Sequence, residues 1–129
     1  MEKWNLYESI EVEIELIESF SGGNRECTVY FVDKQNRKGK LAFTNVFDFR
    51  YAIENAFIDR FSNIPQNIHG KNSIYIVGES DYKSNFENQV SGTIPVDNIR
   101  HFVIFDVIDT GIEILTNQDP ILSKNRTNM

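Results

Sequence analysis

The sequence predicts an α+β domain in which one main helix covers a largely antiparallel sheet of about six strands. Two observations carry this prediction. Residues 10–16 alternate between apolar and charged side chains, which is typical of a half-buried strand. Residues 46–62 instead repeat apolar side chains at helical spacing. Several further short runs of β-branched and aromatic residues, bounded by turn residues, are expected to supply the other strands.

The first half of the chain is predicted to form a three-stranded meander. A turn cluster at 21–24 separates the strand at 10–16 from a second strand at 27–32, and we expect the two to form an antiparallel hairpin. A polar segment at 33–39 leads to a third short strand at 40–43. In the first strand, one side is expected to carry Ile10, Val12, Ile14 and Leu16, and the other Glu11, Glu13 and Glu15.

The main helix is predicted over about residues 46–62. Asn45 can cap its N-terminus, and the Asp48 carboxylate suits the exposed N–H groups of a first helical turn. Ile64-Pro65 ends the helical pattern. The apolar positions at helical spacing are Val46, Phe49, Ile53, Ala56, Phe57 and Phe61.

The second half adds three strands and a short helix. Strands are expected at 73–77, 101–107 and 112–116, and the nearly continuous apolar run at 101–107 indicates a central strand that is covered on both faces. A short helix is predicted over about 80–87, capped by Ser80. The domain is therefore expected to span residues 1–118, followed by a disordered polar tail at 119–129.

Composition excludes several classes of protein. The net charge of -6 and the pI near 4.9 oppose binding to a phosphate backbone, so nucleic acid is not an expected partner. No apolar run approaches the ~20 residues that cross a bilayer, and the N-terminus does not resemble a signal peptide. Cys27 is the only cysteine and is expected to be a buried, inert thiol. These features predict a cytoplasmic protein with no membrane contact.

The tripeptide Asp109-Thr110-Gly111 resembles the catalytic signature of retroviral aspartic proteases, which pair two copies of it. Here Ile112 follows where those enzymes carry a small residue, and only eighteen residues remain after Gly111. That length cannot supply a flap and a substrate cleft. We therefore interpret the tripeptide as the turn of a hairpin between two apolar strands.

The other candidates for metal binding or catalysis rest on weak sequence patterns. His101, Asp106, Asp109 and Glu113 fall on one predicted hairpin, but their spacing matches no metal-ligand motif. A cysteine nucleophile would have only His69 or His101 as its base, and neither histidine stands in a recognisable context. The sequence therefore predicts no catalytic residues, no metal and no cofactor.

Two surfaces are candidates for binding a partner. The stripe of Glu11, Glu13 and Glu15 is either a solvated face that protects a strand edge or a surface for a protein partner. On the predicted main helix, Phe47, Tyr51 and Ile58 lie partly off the core stripe. They would form an exposed aromatic patch for a partner or for a second copy in a homodimer.

Three segments resemble a group of small uncharacterised bacterial proteins, some of which are similar to immunity proteins of polymorphic toxins. The segments are 41–50, 73–77 with 80–82, and 101–106. The resemblance implies a non-catalytic cytoplasmic protein that neutralises a toxin by occluding its active site. Acidic side chains would then oppose a basic nucleic-acid-binding cleft, and complementary charge would speed the encounter.

The alternative function is a small ligand-binding domain or an enzyme of unknown reaction. Its pocket would lie between the main helix and the sheet and would be lined by Tyr51, Tyr75 and Phe105. A tight pocket with converging polar groups would favour this alternative.

Overall fold

A computed structural model describes residues 2–53, 64–68, 72–93, 98–108 and 110–124, with only the backbone of residues 52 and 53. Within these ranges the chain forms nine strands and one helix. The strands are β1 (Lys3–Leu6), β2 (Ile14–Gly23), β3 (Glu26–Asp33), β4 (Lys38–Phe43), β5 (Val46–Ile53), β6 (Ile74–Gly78), β7 (Arg100–Phe105), β8 (Thr110–Thr116) and β9 (Ile121–Lys124). The helix α1 is Asp81–Gln89 and follows β6.

The strands form two antiparallel sheets. One sheet has five strands in the order β1-β6-β7-β8-β5, and the other has four in the order β2-β3-β4-β9. The predicted meander at the start of the second sheet and the predicted pairing of β7 with β8 are both present. The predicted α+β class is wrong, because the described part of the chain is mostly β and its single helix is short.

The first half of the predicted main helix is a strand. Residues Val46–Ile53 form β5, which pairs antiparallel with β8, and the remaining residues of the predicted helix, 54–62, lie outside the described ranges. The physical reason is visible in the sequence, because the aromatic residues Phe49 and Tyr51 alternate with the charged residues Asp48 and Arg50. Aromatic side chains at a period of two favour a pleated strand. Asn45 takes a left-handed backbone conformation (φ 50°) between β4 and β5 rather than capping a helix.

The two sheets pack face to face around a shared apolar core. Aromatic and β-branched side chains from both inner faces fill the space between them. The four-stranded sheet contributes Ile14, Ile17, Cys27, Val29, Phe31, Leu41 and Phe43, and the five-stranded sheet contributes Val46, Ile74, Phe102, Ile104, Ile112 and Ile114.

The second face of the five-stranded sheet is covered as well. Residues 64–68 cover one part, where Ile64 packs on Trp4, Tyr75 and Phe105. Helix α1 covers the other part and packs against β7 and β8 through Tyr82. The helix begins as predicted, since the Ser80 hydroxyl accepts a hydrogen bond of 3.0 Å from the Lys83 N–H. Residues 102–105 of β7 are buried, which confirms the prediction of a strand covered on both faces.

A buried amide fixes the segment that crosses from the five-stranded sheet to the four-stranded sheet. The Asn72 side chain accepts from the N–H groups of Val12 (3.0 Å) and Ser73 (2.8 Å). It also donates to the carbonyl groups of Tyr7 (3.2 Å) and Ile10 (2.9 Å). One side chain therefore binds four backbone groups in the crossing, of which the Ser73 N–H also donates to the Val12 carbonyl at 3.0 Å.

Two more buried side chains hold the start of β2 against the other sheet. The Ser73 hydroxyl accepts from the Ile14 N–H at 2.8 Å, and the Asp106 carboxylate accepts from the Ile17 N–H at 2.9 Å. Asp106 also accepts from the N–H groups of Ile108 (3.0 Å) and Thr110 (2.9 Å), so it shapes the turn between β7 and β8. A turn connects these strands, but it does not include the whole predicted tripeptide, because Thr110 and Gly111 already belong to β8, where Gly111 pairs with Phe105. Asp109 itself lies outside the described residues.

Strand β2 does not continue the predicted alternation. Its pairing with β3 shifts between Ile14 and Leu16 and again between Ile17 and Ser19, which places bulges at Glu15 and Glu18. As a result Leu16, which was expected in the core, is 41% exposed, and Ile17 is buried instead. Each bulge inserts one extra residue and reverses the face to which the following side chains point.

The segment predicted as a disordered tail contributes a strand. Ile121–Lys124 form β9, which pairs antiparallel with β4 at the edge of the four-stranded sheet. Residues 125–129 lie outside the described ranges. In the part of the chain that the structure describes, no helix is both long enough and apolar enough to cross a membrane.

Replacing Asn72 is expected to destabilise the fold. The substitution Asn72→Ala removes the partner of the Val12 N–H and of the Tyr7 and Ile10 carbonyl groups, while the Ser73 N–H keeps its bond to the Val12 carbonyl. Losses of about 1–3 kcal/mol per buried group predict a total of roughly 3 kcal/mol or more. Urea denaturation will measure the change in the free energy of unfolding. Asn88, which is exposed on α1, is the control, and Asn88→Ala should change that free energy by no more than about 0.5 kcal/mol. Equal effects of the two substitutions would contradict the bridging role of Asn72.

Candidate functional site

Five exposed glutamates line the approach to β2 and its first half. We call this set the acidic edge, and it consists of Glu8, Glu11, Glu13, Glu15 and Glu18. Glu11 and Glu13 lie on the segment that crosses between the sheets, while Glu15 and Glu18 occupy the two bulges of β2. β2 is an edge strand of its sheet, so these carboxylates are displayed along an open side of the molecule.

Two members of the acidic edge have lysine partners. Glu13 lies 3.9 Å from Lys34, and Glu18 lies 3.8 Å from Lys38. Both pairs are solvent-exposed, and such pairs contribute only about 0–1 kcal/mol. Among the described residues, Glu11 and Glu15 have no ion pair, so their charge is not neutralised by a neighbouring side chain.

A polar groove of about 270 Å³ lies next to Glu11 and Glu13. Its floor is Asp33, whose carboxylate accepts from the Arg37 N–H and the Gln35 N–H, each at 2.9 Å, and from Arg37 Nε at 3.0 Å. Burial alone would raise the pKa of Asp33, but these hydrogen bonds lower it below its ordinary value. Lys34, Arg37 and Lys124 also line the groove, so it carries charges of both signs.

The structure does not bring Phe47 and Tyr51 together. Phe47 packs on Phe86 of α1 at 6.2 Å between ring centroids, beneath the guanidinium of Arg25. Tyr51 packs on Phe20 at 6.1 Å, on the face that looks toward the four-stranded sheet. The two aromatic side chains were expected on one helical patch, but they lie on opposite faces of β5. Ile58, the third member of that patch, lies outside the described residues.

A chain of polar contacts runs under helix α1. His101 is fully buried, and its Nε2 lies 2.5 Å from Glu113 Oε1, while its Nδ1 lies 2.7 Å from Ser80 Oγ. A neutral His101 that donates from Nε2 to Glu113 accepts at Nδ1 from the Ser80 hydroxyl. Glu113 also binds Arg50 at 3.0 Å, which carries the contacts outward to the surface.

Tyr82 extends this chain of contacts from Arg50 to Asp48. Its ring stacks beneath the Arg50 guanidinium at 3.8 Å, and its hydroxyl donates to Asp48 at 2.8 Å. Burial, followed by the hydrogen bond to Asp48, raises the pKa of the Tyr82 hydroxyl well above its usual value of 10.0. We call the whole set the buried network, and its members are Ser80, His101, Glu113, Arg50, Tyr82 and Asp48.

Ser80, His101 and Glu113 have the order of a hydrolase triad, but not its access. Their exposed fractions are 3%, 0% and 2%, so a substrate cannot reach the hydroxyl in this conformation. Ser80 Oγ is also the acceptor that caps α1. A nucleophile must be free to approach its substrate, whereas this hydroxyl is held by both the helix and the histidine. The geometry instead suits a structural connection between the helix and the sheet.

The other residues considered for chemistry are dispersed. Cys27 is buried in the core between the sheets, where burial raises the pKa of its thiol to about 11, while His101 lies on the opposite face of the five-stranded sheet. Tyr75 and Phe105 contact each other at 6.0 Å, but Tyr51 is on the other face of the sheet. Across the described ranges, no group of three His, Cys, Asp or Glu side chains is placed to hold a metal ion.

Sequence reasoning noted His101 and Glu113 but missed the buried network. The available signal was the presence of ionisable residues within the otherwise apolar strands β7 and β8. Buried ionisable groups are usually paired, which would have suggested that the two contact each other. The roles of Ser80, Tyr82 and Arg50 depend on how α1 and β5 pack, which the sequence pattern does not reveal.

Comparison with known proteins gives one distant likeness. No family model matches the chain, and no curated protein matches it. The crystal structure of an uncharacterized protein from Neisseria gonorrhoeae is similar over 98% of this chain and 99% of that chain, with 14% sequence identity and a TM-score of 0.37. A likeness at this level assigns no function.

Removing the Glu113 carboxylate is expected to destabilise the protein strongly. The substitution Glu113→Ala leaves the buried His101 without its hydrogen-bond partner and the exposed Arg50 without its ion pair, and losing hydrogen bonds to a buried carboxylate costs about 1.5–3 kcal/mol. The free energy of unfolding in urea will report the loss. Glu26→Ala, at an exposed position of β3, should cost less than about 1 kcal/mol. A loss below that limit for Glu113→Ala would argue against the buried network as a stabilising unit.

Tyr82 is expected to make folding sensitive to alkaline pH. Below pH 10, Tyr82 keeps its proton in both the folded and the unfolded chain, so its contribution to the free energy of unfolding is complete. Above that pH the unfolded chain loses this proton while the folded chain keeps it, so stability falls by up to about 1.4 kcal/mol per pH unit. The free energy of unfolding should therefore fall less steeply above pH 10 for Tyr82→Phe than for the wild type. Tyr30→Phe, at an exposed position, serves as the control, and parallel curves for all three proteins would refute the prediction.

Proposed function

We propose that this chain is a non-catalytic cytoplasmic protein that binds a basic protein, and that it acts as an immunity protein by occluding a toxin. The observation that carries the proposal is the acidic edge. No lysine or arginine occurs between Lys3 and Arg25, and five glutamates of that stretch are exposed together. Such a concentration of one sign of charge favours a partner of the opposite sign.

The acidic edge is held rigidly from behind. The N–H groups of Val12, Ile14 and Ile17 bind Asn72, Ser73 and Asp106. These anchored positions alternate with the glutamates along the chain, so the backbone that carries the carboxylates is fixed before any partner arrives. A surface that is already ordered loses less conformational entropy on binding, which favours high affinity.

The two bulges affect how a partner can dock. A regular edge strand would invite pairing with another strand, but bulges and charged side chains oppose this. Glu15 and Glu18 occupy those bulges. The edge therefore presents charge rather than a row of backbone hydrogen-bonding groups. Such a surface suits a basic cleft of the kind that binds nucleic acid, where carboxylates take the place of phosphates.

Charge reversal tests the proposal. The chain would be co-expressed with the protein encoded immediately upstream of its gene, and complex formation, association rate and protection of cell growth would be measured. We expect the triple variant Glu11→Lys, Glu13→Lys and Glu15→Lys to associate about 10–100-fold more slowly at low salt, because rim charges act mainly on the association rate. The salt dependence of the association rate should weaken as well.

A matched variant separates local charge from net charge. The substitutions Glu26→Lys, Glu79→Lys and Glu87→Lys change the net charge equally but lie away from the acidic edge. They are expected to slow association much less. If both triple variants bind equally well, or if the upstream protein neither binds nor harms growth, the proposal fails.

A further inference from the structure

Strand β5 is an edge strand that differs from β2 in character. Among the described strands it pairs only with β8, so one side of its backbone has no strand partner there. It carries two large aromatic side chains that remain accessible, Phe49 at 41% and Tyr51 at 51%. An accessible aromatic pair on an edge strand is suited to covering by another chain.

The side chains of β5 divide between its two faces. Phe49 and Tyr51 point toward the four-stranded sheet and pack on Phe20, with ring centroids 5.0 and 6.1 Å apart. Asp48 and Arg50 lie on the other face, where they contact Tyr82 and Glu113. Both charged residues are nevertheless exposed, so each can make a further contact. Aromatic and charged positions thus alternate along the strand.

This alternation selects one way of pairing two copies. In an antiparallel pair related by a two-fold axis, the axis passes beside one residue, which then faces its own equivalent. An axis at residue 48 would place Asp48 against the partner's Asp48, and an axis at residue 50 would oppose two arginines. An axis at Phe49 instead places Asp48 opposite the partner's Arg50, and this happens twice. Directly opposed unlike charges stabilise a ladder, whereas like charges destabilise it.

We propose that β5 is the interface of a homodimer in which two copies pair antiparallel about an axis at Phe49. The two five-stranded sheets then join into one continuous sheet of ten strands. Phe49 meets the partner's Phe49, and Tyr51 lies diagonally next to it, within reach of an aromatic ring. The inference is separate from the proposed function, because it involves β5 and not the acidic edge.

The dimer is expected to be weak. The bulge between Val46 and Asp48 interrupts the regular pattern of β5, so the self-complementary ladder centres on residues 48–50. A ladder this short buries less than a standard protein interface and suits a micromolar or weaker dissociation constant. One feature favours the dimer. Arg50 is already held by Glu113 and by the Tyr82 ring, so its side chain loses little conformational freedom when the dimer forms.

Cross-linking through the axis is the first test. Phe49→Cys places two thiols directly opposite each other, at a Cβ separation of about 4.5–5.5 Å, which is close to disulfide geometry. Mild oxidation should convert this variant to a covalent dimer. Tyr30→Cys, at a similarly exposed aromatic position on the outer face of the other sheet, should stay monomeric. The native Cys27 is buried and should not take part.

Sedimentation from micromolar to millimolar concentration is the second test. The wild type should show a reversible monomer–dimer equilibrium, and Phe49→Asp should raise its dissociation constant at least about ten-fold by opposing two carboxylates. Tyr30→Asp should leave the dissociation constant unchanged. A monomer at every concentration, or a dimer that Phe49→Asp leaves intact and Phe49→Cys does not cross-link, overturns the proposal. Neither result bears on binding through the acidic edge.

Discussion

The fold depends on three buried hydrogen-bond acceptors that hold the crossing between its two sheets. Asn72, Ser73 and Asp106 belong to the five-stranded sheet or its loops, and each accepts from a backbone N–H of the segment that enters the other sheet. Apolar packing between the sheets is non-directional and would tolerate several registers. These directional bonds fix one register, because a shift by one residue would break all three of them.

The same hydrogen bonds shape the surface for which we propose a function. Anchoring Ile14 and Ile17, with bulges between and after them, turns the intervening glutamates outward along an edge. A straight strand with the predicted alternation would have buried Leu16 and displayed glutamates only at every second position. The bulged strand exposes Leu16 and carries a carboxylate in each bulge. The hydrogen bonds and bulges that fix the start of β2 therefore also determine how its glutamates are displayed.

Much of the sheet could be predicted from sequence, and the failures have identifiable causes. Strands at 27–32, 40–43, 73–77, 101–107 and 112–116, and the helix capped by Ser80, followed local patterns that the tertiary structure preserved. The segment at 46–53 satisfies both periods. Val46, Phe49 and Ile53 fit a helix, while the alternation of Phe49 and Tyr51 with Asp48 and Arg50 fits a strand. Pairing with β8 decided between them. Of the candidate site, Glu11, Glu13 and Glu15 were visible in sequence. The side chains that anchor the neighbouring backbone N–H groups were not, because they lie 59 to 89 positions away from those groups along the chain.

The two neighbouring edge strands, β2 and β5, differ in whether their side chains oppose or favour pairing with a second copy of the same strand. On β2, Glu15 and Glu18 interrupt the ladder and repel any acidic strand, including a second copy of β2. On β5, Asp48 and Arg50 carry opposite charges two residues apart, so a second copy finds its own complement. Phe20 bridges the edges by packing against Phe49 and Tyr51, which holds the two strands side by side. Under the two proposals, β2 thus excludes a second copy of itself and binds a basic protein, while the adjacent β5 pairs with a second copy.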